Sequence, residues 1–171
     1  MPRPAILHTV AIPTSAGEFQ AHFSADGLVR LDFPKRRNDS SIAAPSSLPA
    51  PFRTWAEATK AALEDALADG RSAERTALPP LDLAGATPFR RRVWAELRRI
   101  PRGVTQSYGE IAEALGKRRA ARAVGGACGA NPVPVLIPCH RVLAANGRLG
   151  GFSGGLEWKR RLLASEGVLL T

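Results

Sequence analysis

Between Thr87 and Gly129 the chain is punctuated so closely that it can hold only short helices. Thr87-Pro88 supplies an N-cap and a first-turn proline, and Phe89, Val93, Leu97 and Ile100 follow at helical spacing. Pro101-Arg102-Gly103 stops that helix. Ser107-Tyr108-Gly109-Glu110 has the form of a capping box, in which the serine hydroxyl and the glutamate carboxylate each satisfy a backbone N–H of the first turn. Ile111, Ala112 and Leu115 stand behind it, and Gly116 terminates the run. After a break at Lys117, residues 119–129 read as an Ala/Gly-rich helix. Two short helices joined by a brief turn are the signature of a helix-turn-helix.

The first half has a different period. Residues 5–12 are apolar and β-favouring, and residues 17–24 alternate, with Phe19, Ala21 and Phe23 on one face. Asp26-Gly27 is a hairpin signal, after which Leu28 to Phe33 returns with Leu31 and Phe33 in phase. A three-stranded antiparallel meander is expected. Residues 34–52 read as an irregular connection. A capping box at Thr54-Trp55-Ala56-Glu57 opens a helix with Trp55, Ala58, Ala62, Leu63, Ala66 and Leu67 as its apolar stripe, and Gly70 ends it. Residues 71–86, with Pro79-Pro80, read as a linker. The expected fold class is α+β. Residues 1–80 form a small antiparallel sheet with a helix, a ribonuclease H-like roll. Residues 81–171 form a mostly helical, winged-helix-like domain that carries the helix-turn-helix.

Charge divides at the same place. The 171 residues carry a net +9. Residues 1–86 hold 9 Lys+Arg against 10 Asp+Glu, whereas residues 87–171 hold 15 against 5, so the second half alone is at +10. A neutral half joined to a strongly basic half suggests that the second meets a polyanion. Hydrophobic residues at 44% are enough for a core. No apolar run reaches membrane-spanning length, and the first residues lack the apolar stretch of a secretory signal. A cytoplasmic setting is expected, where thiols stay reduced. The two cysteines, Cys128 and Cys139, have no CxxC or His-x-His companions, so no zinc site is expected.

Cys139 lies in Ile137-Pro138-Cys139-His140-Arg141-Val142-Leu143. A thiol is a good nucleophile as thiolate, which neighbouring imidazole or cationic groups favour. Pro138 restricts the backbone before it, so the thiol is presented on a defined bend. The alternative is a buried structural cysteine with a histidine beside it by chance. Gly125-Gly126, inside the expected helix, costs about 1 kcal/mol per glycine relative to alanine. Either a partner surface approaches the backbone closely there, or the helix packs tightly inside the domain. Arg118 and Arg122 are spaced one helical turn apart. Asn131-Pro132-Val133-Pro134 forbids helix continuation and reads as a rigid hinge before Cys139. Glu166 falls in the last turn of a helix read as Leu156 to Glu166, where the macrodipole favours cations. That conflict suggests a task, such as orienting an imidazole. Gly150-Gly151-Phe152-Ser153-Gly154-Gly155 reads as a loop lining a pocket and lacks the P-loop pattern.

From Thr87 to Gly167 these pieces resemble the O6-alkylguanine-DNA alkyltransferase family. The resemblance rests on Thr87-Pro88-Phe89 with Val93-Trp94, Ser107 to Ala112, Ala121 to Gly125 and Asn131-Pro132. It continues through Pro138 to Val142, Ser153-Gly154-Gly155, Lys159 and Glu166-Gly167. It implies a DNA repair protein that flips an alkylated guanine out of duplex DNA and takes the alkyl group onto Cys139. His140 is similar to the family's imidazole that receives the thiol proton through a water, and Glu166 to the carboxylate that orients it. Tyr108 resembles the donor to the leaving guanine, Asn131 the hinge, and Arg122 the finger that fills the vacated base stack. Ser107, Arg118, Arg119, Ala121, Gly125 and Arg141 are further residues expected at DNA. Tyr108, Val142, Phe152, Ser153 and Gly154 are expected in the substrate pocket.

The resemblance also implies minor-groove binding to DNA containing O6-alkylguanine, with O4-alkylthymine as a second candidate lesion, by a monomer that uses no cofactor. Phe152 replaces the tyrosine of some members. A thioether has no carbonyl for water to attack, so each molecule would act once. Three other functions compete: a lesion sensor without transfer, a sequence-reading regulator, and a cysteine hydrolase built on Cys139, His140 and Glu166. Sensors usually lack the cysteine, the Ala-rich helix offers few base-reading side chains, and a hydrolase would turn over.

Overall fold

A computed structural model describes residues 4–35, 47–69 and 76–169. Two compact units are present, one ending at Gly85 and the other beginning at Ala86, with Ala68 and Asp69 assigned to the second. No helix among the described residues is long and apolar enough to cross a membrane.

The first unit is the expected meander. Strands β1 (His8–Thr14), β2 (Gly17–Phe23) and β3 (Leu28–Asp32) pair antiparallel in the order β1-β2-β3. Val10 faces Ala21 and Ile12 faces Phe19, so the period-2 pattern puts one apolar face inward. The first strand starts three residues later and ends two residues later than its apolar stretch implied. Helix α1 (Phe52–Leu67) packs on β1 and β2 and buries Ala56, Thr59, Ala62 and Leu63. It begins before the Thr54 capping box. Arg53 N–H and Trp55 N–H already bond to the carbonyls of Pro49 and Pro51, so Thr54 lies within the helix and caps nothing. Phe52 is held there by ring contacts to His8 at 4.3 Å and Trp55 at 5.3 Å. Gly70, residues 36–46 of the connection and residues 71–75 of the linker lie outside the described residues.

The rest of that linker is part of the first unit. Leu28 donates to Pro80 O at 2.7 Å and Asp82 N–H donates to Leu28 O at 3.0 Å, so residues 80–82 run beside β3 in parallel. The Ser24 hydroxyl donates to the buried Asp82 carboxylate at 2.6 Å. Gly27 (φ +145°) turns the hairpin directly against the Pro80 carbonyl, where any side chain would clash.

The second unit follows its punctuation closely. In α2 (Pro88–Leu97), the Thr87 hydroxyl accepts from Arg90 N–H at 3.3 Å, and Val93, Trp94 and Leu97 are buried. The Trp94 indole donates to Ala127 O at 2.8 Å, which ties α2 to the helix pair. Both halves of the capping box form at the start of α3 (Tyr108–Ala114), with Glu110 N–H to Ser107 Oγ at 3.2 Å and Ser107 N–H to Glu110 Oε2 at 2.6 Å. Such a cap contributes about 1 kcal/mol. Gly116 (φ +70°) closes α3. Helix α4 (Ala121–Gly129) starts two residues later than expected, because residues 117–120 form the turn. A 3-10 turn at Cys139–Arg141 leads into β5 (Val142–Leu143), which pairs in parallel with β4 (Gln106–Ser107). Helix α5 (Leu156–Ser165) ends the unit.

Candidate active site

Strands β4 and β5 bring the N-terminus of α3 beside the Cys139 turn. The segment between α4 and that turn is buried almost throughout, from Asn131 to His140. Asn131 organises it. Its Oδ1 accepts from Val133 N–H at 3.0 Å, and its Nδ2 donates to Ile137 O at 2.8 Å and to Cys139 Sγ at 3.1 Å. Val135 adopts a left-handed backbone (φ +73°), a conformation that costs a β-branched residue about 1–3 kcal/mol. Nothing in the sequence marks that position; only the packing around it does.

Cys139 is 4% exposed, and burial pushes its thiol upward while the Asn131 amide and the Lys159 ammonium pull it back. Behind it His140 is wholly buried, and its Nε2 lies 2.9 Å from Glu166 Oε1. Glu166 also accepts from Arg141 Nε at 3.0 Å, Arg141 Nη2 at 2.8 Å and Gly103 N–H at 3.0 Å. Burial alone would raise its carboxyl, but the hydrogen bonds from His140 and Arg141 outweigh that and hold it at about 2. An ionised Glu166 fixes the tautomer: Nε2 of His140 carries the proton and donates. Nδ1 then has a free lone pair, buried and without a partner among the described residues. Burial lowers the His140 pKa, so the ring is neutral and able to receive a proton.

Lys159 is buried too, donating to Val142 O at 2.7 Å and to Leu149 O, and burial lowers its pKa. It joins β5 to the glycine-rich loop. A cavity of about 640 Å³ opens over Cys139, walled by Tyr108, Ala121, Arg122 and Gly125 on the helix pair and by Gly150, Gly151, Phe152 and Ser153 on the loop. A Cβ added at Gly125 would make only an ordinary contact with the Tyr108 ring at 3.9 Å, and Gly126 faces open space, so internal packing demands neither glycine.

The structure therefore gathers most of the expected residues and redirects four. Arg141, expected at DNA, is held inside by Glu166 and by Ile100 O at 2.7 Å. Arg118 stands in the turn before α4, so it does not share a face with Arg122, and it pairs with Glu113 at 2.7 Å. Val142 is fully buried in β5, and neither it nor Gly154 lines the cavity. Ser107 caps α3 beside Tyr108, and Arg119 is exposed in the turn. Gly150 and Gly151 line the cavity as the loop reading expected, and Cys128 and Gly129 line it without having been singled out for it. For Cys128, burial and the neighbouring Cys139 push the thiol up to about 12, so it is inert as a nucleophile near neutral pH.

At Gly150 (φ +64°) an added methyl would lie 2.9 Å from the Tyr108 hydroxyl. Gly150→Ala is expected to displace the Tyr108 ring from the cavity wall. A crystal structure of the variant checks it.

A helix-turn-helix beside a cavity floored by a cysteine, with an imidazole and carboxylate behind it, is the arrangement of a DNA-binding protein with a thiol nucleophile at hand. Residues 88–168 match the family described as 6-O-methylguanine DNA methyltransferase, DNA binding domain. The chain is 49% identical over 109 residues to a methylated-DNA–protein-cysteine methyltransferase of Salmonella typhimurium, covering 63% of this chain and 64% of that protein. It is 57% identical over 86 residues to one of Mycolicibacterium paratuberculosis, covering 50% and 52%. These alignments span between half and two thirds of the curated relatives. Solved structures align along nearly the whole chain. Mycobacterium tuberculosis OGT in complex with DNA has a TM-score of 0.73 at 34% identity, covering 94% of this chain and 93% of that one. The O6-methylguanine-DNA methyltransferase of Pyrococcus kodakaraensis has 0.61 at 27%, covering 94% and 99%. The chain belongs to the O6-methylguanine-DNA methyltransferase family.

Proposed function

We propose that this protein repairs DNA by moving the alkyl group of O6-alkylguanine to Cys139, once per molecule. The observation that carries the reading is the buried Cys139 thiol on the floor of the cavity, with the His140–Glu166 pair behind it. The lesion enters extrahelically from the minor groove, at an unpairing cost of a few kcal/mol. His140 Nδ1 takes the thiol proton through a water, and Glu166 stabilises the imidazolium. The thiolate sulfur attacks the alkyl carbon as the C–O6 bond breaks. The electron pair goes to the guanine, which takes a proton at N3 from the Tyr108 hydroxyl. The thiol proton held on His140 returns through water to the tyrosinate, and exchange with solvent moves the N3 proton to N1. The products are a thioether and unmodified guanine, and no cofactor enters. The burial that raises the resting thiol keeps it protonated and quiet until a substrate fills the cavity. The protein acts as a monomer.

Intact-mass analysis after incubation with duplex containing O6-methylguanine tests the reading. One methyl group on the Cys139 peptide is expected. Multiple turnovers, or methylation at Cys128, would overturn it.

Arg122 is exposed at the cavity rim, where it can fill the space of the extruded base. Arg122→Ala is expected to slow repair of duplex DNA at least tenfold more than reaction with free O6-benzylguanine, since only duplex needs a base flipped. Equal losses on both substrates would make Arg122 a support of the pocket.

A further inference from the structure

The cationic side chains of the second unit include two contrasting sets. Several are held by the protein: Arg99 by Glu96 at 2.9 Å, Arg118 by Glu113, Arg141 by Glu166 and Arg160 by Glu157 at 3.0 Å. Arg161 lies over the Trp158 ring. Arg90, Arg91, Lys117, Arg119, Arg122 and Arg148 have no ion pair or side-chain hydrogen bond among the described residues.

Arg90 and Arg91 stand out in that second set. Both are exposed in the first turn of α2, with Arg92 directly following. A helix start favours negative charge, and this one has no acidic residue in its first turn. Arg90 and Arg91 there oppose both the macrodipole and one another, so they do not serve the helix start. Their neighbourhood gives them a role. Arg92 Nη2 donates to Leu115 O at 3.2 Å, which fastens α2, just past its first turn, to the end of α3. The next residues along the chain are the α3–α4 turn with Lys117 and Arg119, and then Arg122 at the cavity. Apart from Arg148, the uncompensated cations are thus strung along one connected path rather than scattered.

We infer that Arg90 and Arg91 form a second phosphate-contacting surface, which extends the duplex footprint from α4 across the turn onto α2. The inference rests on the proposed duplex binding. The partner is the DNA backbone: the cations are consecutive arginines, able to engage phosphates bidentately, and they adjoin the helix-turn-helix.

The test is the salt dependence of binding to an undamaged duplex, where each lost phosphate contact changes the log–log slope by about 0.9. Arg90→Ala/Arg91→Ala is expected to make the slope less negative by about 1.8 and to weaken low-salt binding several-fold, with the difference shrinking as salt rises. Arg90→Lys/Arg91→Lys keeps the charge and is expected to retain most of the slope. Thermal melting of both variants monitors the fold. An unchanged slope in the alanine variant, or an equal loss in the lysine variant, would overturn the inference while leaving the function intact. Failure of the wild-type protein to bind duplex or accept a methyl group would instead sink the functional reading.

Discussion

Cys139→Ser is expected to abolish alkyl transfer while leaving duplex binding intact. The hydroxyl is a far weaker nucleophile than a thiol, and His140 is tuned by burial to a low pKa, so it cannot hold a serine alkoxide. Serine nearly preserves the volume and can still accept from Asn131 Nδ2, so the turn should survive. A single-turnover assay and a mobility-shift titration on one preparation separate the two outcomes. Residual transfer above about a thousandth of wild type would mean that another group takes the alkyl. With its thiol pushed up to about 12 by burial, Cys128 is a poor candidate.

The second large effect is at Glu166. The sequence reading gave this carboxylate one task, orienting His140. The structure gives it three further donors, two from Arg141 and one from Gly103. Glu166→Gln therefore removes the acceptor that fixes the imidazole and leaves the largely buried Arg141 without its counter-charge. Breaking a buried pair from one side costs about 3–5 kcal/mol, and loss of base assistance about 10²–10⁴ in rate. Both a clear fall in melting temperature and a rate loss of at least a hundredfold are expected. Arg141→Lys, which keeps the charge but not the fork, should lower the melting temperature with a much smaller loss of rate. If Glu166→Gln melts normally, the ion pair does not hold the unit together.

The same carboxylate sets an acid limit. Its pKa is about 2 in the folded chain against an ordinary 4.5. A depressed carboxyl stabilises above its unfolded value, and that contribution is lost as pH falls through the interval from 4.5 towards 2. His140, lowered by burial, pulls the same way: the unfolded ring binds a proton below about 6.5, which the folded ring resists. Stability measured between pH 7 and 3 should fall steadily, and less so in Glu166→Gln.

The local chemistry of the second half was legible because it is written in caps. Ser107 with Glu110 and Thr87 with Pro88 each specify a helix start through atoms of neighbouring residues, and both form as read. Thr54 with Glu57 has the same letters, but Phe52, packed on His8 and Trp55, draws the helix start upstream. The site was legible at Cys139, Tyr108 and Phe152, which sit in a recognisable order. Arg141 was not, since an arginine among arginines reads as a surface cation, and only the fold places Glu166 against it. Arg118 was misread by two residues: the turn runs through 117–120, so its spacing to Arg122 is not helical. Val135 carries no mark of its left-handed backbone, because the residue type itself disfavours that conformation.

Residues 80–82 have a consequence for the order of events in synthesis. The first unit is closed by chain that arrives late: Leu28 obtains its partners from Pro80 and Asp82, and Ser24 its carboxylate from Asp82. A nascent chain that has emerged only as far as α1 has the meander and its helix but an unzipped edge at β3. That edge offers open backbone donors and acceptors to any neighbouring strand. Cotranslational maturation of this half therefore waits for Asp82, more than fifty residues after the hairpin it seals, and release before that point would leave an aggregation-prone edge rather than a smaller stable fragment.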